Sequence, residues 1–512
     1  MATPADPIDP DACYRALKTR DTRFDGRFFT GVTSTGIYCR PVCSVRTPRR
    51  ENCRFFAHAA LAETAGFRPC LRCRPELAPG RPWWSIQDAS AILAQQAAQL
   101  MDDPDTWLAD DASVRRLAER LGVSDRHLRR IFEAQFGVSP IRYLQTRRLL
   151  AAKQLLADTD LPVHQVAIAS GYASVRRFND AFVAHYRLNP TQLRRAGSQP
   201  AGGAVRVRLG YRPPFDDAAM AVFFQRRQIA GVEQVDIAPD DKGFTLARTV
   251  RLWSGPTEYR GWLVARMEPS RNQVVLQVDD ALRPVLPQLI RRVRQLFDLD
   301  ADPHAIHQLL QADFPDGAGL RVPGTLDGFE LAVRAILGQQ VTVAAARTLA
   351  QRLVQALGTP IATPYPTLNR LFPDAAALAA ADPDRLGAIG IVRQRQRAIQ
   401  SLALAVSSGA LTLRATDDVP ATMTRLRALP GIGDWTAQYI AMRALRWPDA
   451  FPAGDVALHT ALGLRQHAHP ARAAEARSQA WRPWRSYAVL RAWHATPAAA
   501  RAAAPVSPSP GD

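Results

Sequence analysis

The sequence predicts a multidomain α+β protein. We expect a small cysteine-bearing domain, an all-α domain of two helix-turn-helix units, a small α+β domain, and an all-α domain built on a helix-hairpin-helix. Three observations predict this. All six cysteines fall before residue 74. Ser124, Phe132 and Pro140 recur as Ser174, Phe182 and Pro190, each offset by 50 residues. The run Leu429-Pro430-Gly431-Ile432-Gly433-Asp434-Trp435 reads as a glycine hairpin between two helices, with Asp455 twenty residues beyond Trp435.

The chain has 512 residues, enough for three or four domains, and a net charge of +18. That charge points to a polyanionic partner. A general preference for arginine is the competing reading, because only Lys18, Lys153 and Lys242 are lysines. The clustering of arginines around motifs with their own reasons to meet DNA favours nucleic acid. No apolar run approaches the roughly 20 residues of a membrane span, and the N-terminus lacks a signal-peptide pattern. A cytoplasmic protein without a membrane partner is expected.

The first element spans residues 1–80. Cys39 and Cys43 form one close pair, Cys70 and Cys73 another, separated by 26 residues. In a reducing compartment such crowding argues for metal rather than disulfides, and each pair can supply two corners of a zinc tetrahedron. Spacing alone favours a structural zinc site. Cys13 and Cys53 stand outside it as ordinary thiols.

Residues 85–196 read as helical throughout. Each copy of the 50-residue repeat is a helix, a turn and a second helix: Val114–Arg120, Gly122-Val123 and a restart at Ser124, then Val163–Ser170, Gly171-Tyr172 and a restart at Ser174. Both serines suit an N-cap. A long helix near 143–157 joins the copies, so two recognition helices would face neighbouring major-groove segments. Arg126, Arg129 and Arg130, with Val175, Arg176 and Asn179, are the expected exposed positions, and phosphate and guanine contacts remain alternatives for the arginines. Leu128, Ile131, Phe132, Phe178 and Phe182 are expected in the core.

A glycine- and serine-containing linker at 197–203 leads to a small α+β domain over 204–310, where Val205–Leu209 and Val274–Val278 read as strands. From about residue 282 the pattern is helical again, 311–496 forming the last domain, and 497–512 form an alanine- and proline-rich tail expected to be disordered. In the hairpin, Gly431 and Gly433 leave the backbone bare, so successive N–H groups can grip one DNA phosphate. The Asp455 carboxylate then lies within reach of a nucleotide anchored there, which fits an enzyme acting on a base lifted out of the duplex. For an isolated aspartate before a helix the competing role is an N-cap, which Asp455 can also fill. With no cysteine nearby, no iron–sulfur cluster can be held at the hairpin. A structural monovalent cation there is left open.

Three resemblances carry this further. Thr35–Cys43 and Gly66–Cys73 resemble the N-terminal domain of the bacterial Ada-type DNA repair family. The resemblance implies that Cys39, first of four zinc thiolates (Cys39, Cys43, Cys70, Cys73), accepts a methyl group from a DNA methylphosphotriester. Zinc would keep the sulfur deprotonated, and a neutral triester spares it repulsion from the backbone. Methylation would neutralise one thiolate and raise affinity for DNA in a salt-sensitive way, a route from damage to transcription. No cysteine is available for the family's other activity, repair of O6-methylguanine. Residues 113–195, including Gly137–Pro140, resemble the DNA-binding domain of AraC-type activators, which implies promoter DNA and RNA polymerase as partners.

Residues 205–495 resemble the AlkA-type 3-methyladenine DNA glycosylase II family, through Ala335–Gln340, Leu429–Tyr439, Phe451–Asp455 and Trp481–Tyr487. The resemblance implies that Asp455 is the catalytic carboxylate, that Trp435 and Tyr439 line the base pocket, and that Gln340 sits where the best-known members carry a leucine that fills the gap left by the flipped base. His494 stands where a tyrosine is expected beside Trp493. A cationic alkylated purine is a good leaving group. An ionised Asp455 would stabilise the oxocarbenium-like sugar, and the faces of Trp435, Tyr439 and Trp493 would attract an electron-poor base. Trp481 and Trp484 are expected to pack rather than contact substrate. Related bifunctional enzymes place a lysine where Trp435 stands, and no lysine follows Lys242, so water should finish the reaction.

The expected protein is thus a monomeric, nucleoid-associated bacterial alkylation-response protein binding double-stranded DNA. Two other readings compete with it. One is a transcription regulator with a catalytically silent glycosylase-like half, and the other a glycosylase merely tethered by its N-terminal modules.

Overall fold

The computed structural model describes residues 9–79, 89–103, 114–159, 161–196, 205–238 and 243–495. The expected linker at 197–203, the tail from 497 and Lys242 lie outside them. The chain divides into two compact units, one of residues 1–213, 251–294 and 299–302, the other of 214–250, 295–298 and 303–512. Residues 204–310 are therefore shared between the two units. No helix among the described residues is long and apolar enough to cross a membrane.

The first unit begins with four short strands, β1 (Phe29–Val32), β2 (Ile37–Cys39), β3 (Cys53–Phe56) and β4 (Arg68–Pro69), ordered β3-β1-β2-β4. β1 is antiparallel to both neighbours, and β4 runs parallel to β2. The parallel pair matters most for chemistry: it ends Cys39 and Cys70 side by side, with the Cys70 N–H donating to the Tyr38 carbonyl at 2.9 Å. Phe29, Tyr38, Phe56 and Phe67 form the core beneath.

Helices follow: α1 (Ala89–Met101), α2 (Val114–Arg120), α3 (Asp125–Phe136), α4 (Pro140–Asp158), α5 (Val163–Ala169), α6 (Val175–Tyr186) and α7 (Pro190–Ala196). Ser124 and Ser174 cap α3 and α6, their hydroxyls accepting from the N–H groups of His127 and Arg177. Such caps satisfy amides that a helix start leaves unpaired. Leu128, Phe132, Phe178 and Phe182 are fully buried, and Ile131 nearly so. The connecting helix starts three residues earlier than expected, because Ser139 caps it and Pro140 takes its first position, where no N–H is needed.

Strands resume with β5 (Val205–Gly210), β6 (Glu233–Ile237), β7 (Phe244–Ser254), β8 (Thr257–Glu268) and β9 (Gln273–Val278). In the first unit β5, β9 and β8 pair antiparallel, aligning Val207 with Leu276 and Leu276 with Ala265 on one buried face. Arg206 and Arg208 alternate to the solvent side, as a half-buried strand requires.

In the second unit β6 pairs with the start of β7. Helix α8 (Asp217–Gln225) precedes them. The helical body contains α9 (Gly328–Leu337), α10 (Val343–Leu357), α11 (Pro383–Ala388), α12 (Arg393–Ser407), α13 (Val419–Arg427), α14 (Asp434–Arg443), α15 (Val456–Ala461) and α16 (Arg485–Ala495). Arg248 bridges Glu233 and Glu330, and Arg334 pairs with the same two carboxylates. This buried square of charge fixes the β6–β7 hairpin to α9. Trp481 and Trp484 are buried packing residues, the former donating its indole N–H to Asp313.

Candidate active site and thiol cluster

In the second unit the sequence 429–435 folds as a hairpin between α13 and α14. Ile432 is buried and anchors it. Gly431 has φ +76°, and a Cβ there would lie 2.9 Å from Ala398 Cβ, so both backbone angle and space demand glycine. Gly433 caps α14 without a side chain, with nothing within 4 Å of where a Cβ would be. The amides of the first turn of α14 are thus left for a ligand such as phosphate.

Trp435 and Tyr439, one turn apart on α14, stack with centroids 5.3 Å apart and planes 11° from parallel. Trp493, from α16, lies 6.3 Å from Tyr439. Asp455 is the N-cap of α15, its Oδ1 accepting the Leu458 N–H at 2.7 Å. Both indoles also donate to it: Trp435 Nε1 to Oδ2 at 2.8 Å and Trp493 Nε1 to Oδ1 at 3.0 Å. The capping role therefore coexists with the two indole contacts in one half-buried carboxylate held by three donors.

Sequence reasoning missed the far side of Tyr439. Its hydroxyl accepts from Arg443 Nη1 at 2.6 Å. The Arg227 guanidinium acts on the same phenol by its charge. Phe223, on α8, has the Arg227 guanidinium 3.8 Å and that of Arg443 4.7 Å from its ring centroid. Burial would push the phenol up, yet the two guanidinium groups hold Tyr439 below the usual tyrosine range. Burial draws Arg227 down to about 10. The i, i+4 spacing of Tyr439 and Arg443 was a legible signal; nothing in sequence tied Phe223 and Arg227 to a site some 200 residues away. A groove of about 1080 Å³, lined by Gln228, Gly231, Arg347, Gln351, Asn369 and Arg370, does not include Asp455 or the three aromatics.

Gln340 is exposed at the loop between α9 and α10 and adopts a left-handed backbone with φ +55°. Its neighbour Gln339 donates to the Gly431 carbonyl and to Thr436 Oγ1, both at 2.9 Å. The loop and the hairpin are thereby one connected surface. His494 is exposed next to Trp493.

In the first unit the sulfurs of Cys39, Cys43, Cys70 and Cys73 all lie within 4.8 Å of one another. A tetrahedral zinc–thiolate centre with bonds of about 2.3 Å has edges near 3.8 Å, so the set fits zinc. Sharing of hydrogen bonds among the four thiols pushes Cys39 and Cys73 up, and Cys43 and Cys70 down. The Arg40 N–H donates to Cys73 Sγ at 3.3 Å, while its side chain donates to Cys73 O and Asp25. Lys153 on α4, almost fully buried, donates to the Cys70 carbonyl at 3.1 Å and pairs with Glu76. Cys13 lies outside the cluster, and burial pushes its thiol up to about 12, out of the reactive range.

On the helix-turn-helix units, Arg126, Arg130, Val175 and Arg176 are exposed. Arg129 is half-buried and paired with Asp125. Asn179 is half-buried, with its amide oxygen out of solvent.

Four family models match the chain. They are the metal binding domain of Ada over residues 12–76, a helix-turn-helix domain over 117–196, the AlkA N-terminal domain over 206–327, and the HhH-GPD superfamily base excision DNA repair protein over 333–486. A Mycobacterium tuberculosis protein described as a probable bifunctional transcriptional activator/DNA repair enzyme AlkA is 38% identical over 501 residues, covering 95% of this chain and 96% of that protein. Escherichia coli DNA-3-methyladenine glycosylase 2 is 35% identical over 286 residues, 56% of this chain and 96% of that protein. Escherichia coli bifunctional transcriptional activator/DNA repair enzyme Ada is 34% identical over 152 residues, 29% of this chain and 39% of that protein.

Proposed function

Since the chain belongs to the AlkA family of bifunctional transcriptional activator/DNA repair enzymes, we propose that it couples excision of alkylated bases to a DNA-binding methyl sensor. Its parts would be an acceptor domain at 1–80, an AraC-type reader at 85–196, an AlkA-type α+β domain at 204–310 and a glycosylase domain at 311–496. The observation that carries the enzymatic reading is the Asp455 carboxylate, held by Trp435, Trp493 and the Leu458 amide beside a phosphate-gripping hairpin.

A nucleotide everted from the duplex is anchored by the backbone at Gly431 and Gly433, while Gln340 fills the gap it leaves. The base, a 3-methyladenine or 7-methylguanine type, lies against the aromatic group of Trp435, Tyr439 and Trp493. As the C1′–N bond breaks, its electron pair leaves with the base. Asp455 stabilises the cationic sugar and orients the water that completes hydrolysis. With tryptophan at 435, no amine attacks the sugar and the enzyme is monofunctional.

At the thiol cluster, bound zinc supplies thiolate character at neutral pH. The Cys39 sulfur attacks the methyl carbon of a methylphosphotriester; the C–O bond breaks, its electron pair returns to the phosphate oxygen, and a thioether and a diester result. Arg126, Arg129, Arg130, Arg176 and Asn179 contribute to promoter contacts, with RNA polymerase as a further partner. A monomer acting in the bacterial cytoplasm at the nucleoid, with a monovalent cation under the hairpin, completes the reading.

Incubation with methylated duplex should release free alkylated base, and Asp455→Asn should abolish release while DNA binding persists. Mass analysis should find one methyl on Cys39, absent in Cys39→Ala. Base release undiminished in Asp455→Asn would end the glycosylase reading.

A further inference from the structure

The hairpin at Gly431 has a counterpart in the same unit. Between α11 and α12, Ile389-Gly390-Ile391-Val392 repeats its pattern: Gly390 has φ +92°, Ile391 is buried beneath the turn as Ile432 is, and Val392 stands out at 56% exposure. The two hairpins are fused rather than merely similar. The close approach of Gly431 is to Ala398 on α12. Arg395, also on α12, donates to the Gln339 carbonyl, and Gln339 in turn donates to Gly431. The loops at 338–342, 389–392 and 430–433 therefore form one braced surface.

At the first hairpin the exposed Asp434 is paired with Arg427, whereas the second loop carries unpaired cations. Arg352, Arg393 and Arg397 are exposed at the 389–392 loop and the start of α12, and among the described residues no carboxylate is paired with any of them. Arg352 also reaches the Ile389 carbonyl at 3.4 Å, bracing α10 against the loop. Three unneutralised guanidinium groups on a surface continuous with the first hairpin suit a polyanion, and a duplex held at one hairpin extends past it.

We propose that the 389–392 loop, with Arg352, Arg393 and Arg397, is a second backbone contact of the glycosylase half, engaging phosphates of the duplex that flanks the everted nucleotide. This rests on the glycosylase reading above. The loop holds the flanking duplex in register while the first hairpin holds the lesion, and it contributes affinity without touching the reacting bond.

The test uses the full chain and a short duplex carrying one 7-methylguanine. Half-saturating protein concentration and saturated rate constant for base release are measured in single turnover between about 50 and 200 mM salt. Each phosphate contact adds about 0.9 to the slope of log affinity against log salt, so Arg393→Ala/Arg397→Ala should lower that slope by about 1.8. Arg393→Lys/Arg397→Lys should restore it, and the saturated rate constant should stay within about twofold, because neither residue touches the reacting bond. An unchanged slope overturns the proposal, as does a loss confined to the rate constant. If the parent protein releases no base, the glycosylase reading fails instead; the salt slope for binding the same duplex, measured with the same variants, still decides the second contact. Both arginines are exposed on a helix whose buried face is Ile399 and Leu402, so thermal melting of the variants should match the parent.

Discussion

Replacing Trp493 with phenylalanine keeps an aromatic ring beside Tyr439 and removes one N–H from the Asp455 carboxylate. In the native arrangement that donor sits 3.0 Å from Oδ1, which it shares with the Leu458 amide, while Trp435 holds Oδ2. A hydrogen bond to a charged group is worth roughly 1.5–3 kcal/mol when removed. Two donors survive in Trp493→Phe, so the lower part of that range should reach the transition state. About 1.4 kcal/mol corresponds to a tenfold slower step. We expect single-turnover base release at saturating DNA to fall about tenfold, by loss of carboxylate orientation. DNA affinity should be unchanged, because no backbone contact is altered. Trp435→Phe/Trp493→Phe leaves only the Leu458 amide and should lose more than the product of the single effects, since one carboxylate cannot be held by one donor against rotation. A Trp493→Phe rate within twofold of the parent, alongside an inactive Asp455→Asn, would show that the indole N–H does not position the carboxylate.

Four further outcomes are expected. Gly431→Ala must adopt φ +76° and meet Ala398, so melting of the second unit should lose about 1–2 kcal/mol from the backbone angle alone, with weakened duplex binding. Lys153→Met strips a partner from buried Glu76 and should cost the first unit about 3–5 kcal/mol in denaturant unfolding. Against burial, Lys153 and Arg74 hold the Glu76 carboxyl below its ordinary 4.5; its contribution to stability is complete above that pH and is lost as pH falls towards its folded value, so acid titration of unfolding should show loss of stability below about pH 4.5. Borohydride added during turnover should trap no protein–DNA adduct, and alkali should be needed to break the strand at the product site; a trapped adduct would require an amine nucleophile that Trp435 does not supply.

The cysteine pairs, the 50-residue repeat and the glycine hairpin were legible because each is a local contract between residue type and backbone. Close thiols can share a metal, serine can cap a helix, and glycine alone takes a left-handed turn against a neighbouring helix. The same logic placed Asp455 before α15 and the apolar faces of β5 and β9. The division at residues 213/214 and 250/251 was not legible, because it depends on how β7 is shared between two cores and has no composition boundary. Nor could sequence show that the indoles of Trp435 and Trp493 turn their N–H groups to Asp455, or that Arg227 and Phe223 converge on Tyr439. Those contacts join residues tens to hundreds of positions apart, and the chain between them records nothing of the approach. Sequence by itself determined which reactive side chains were present and which local turns could host them. Only the tertiary structure decided their orientation, because the direction of a side chain is settled by what packs against it from elsewhere in the chain.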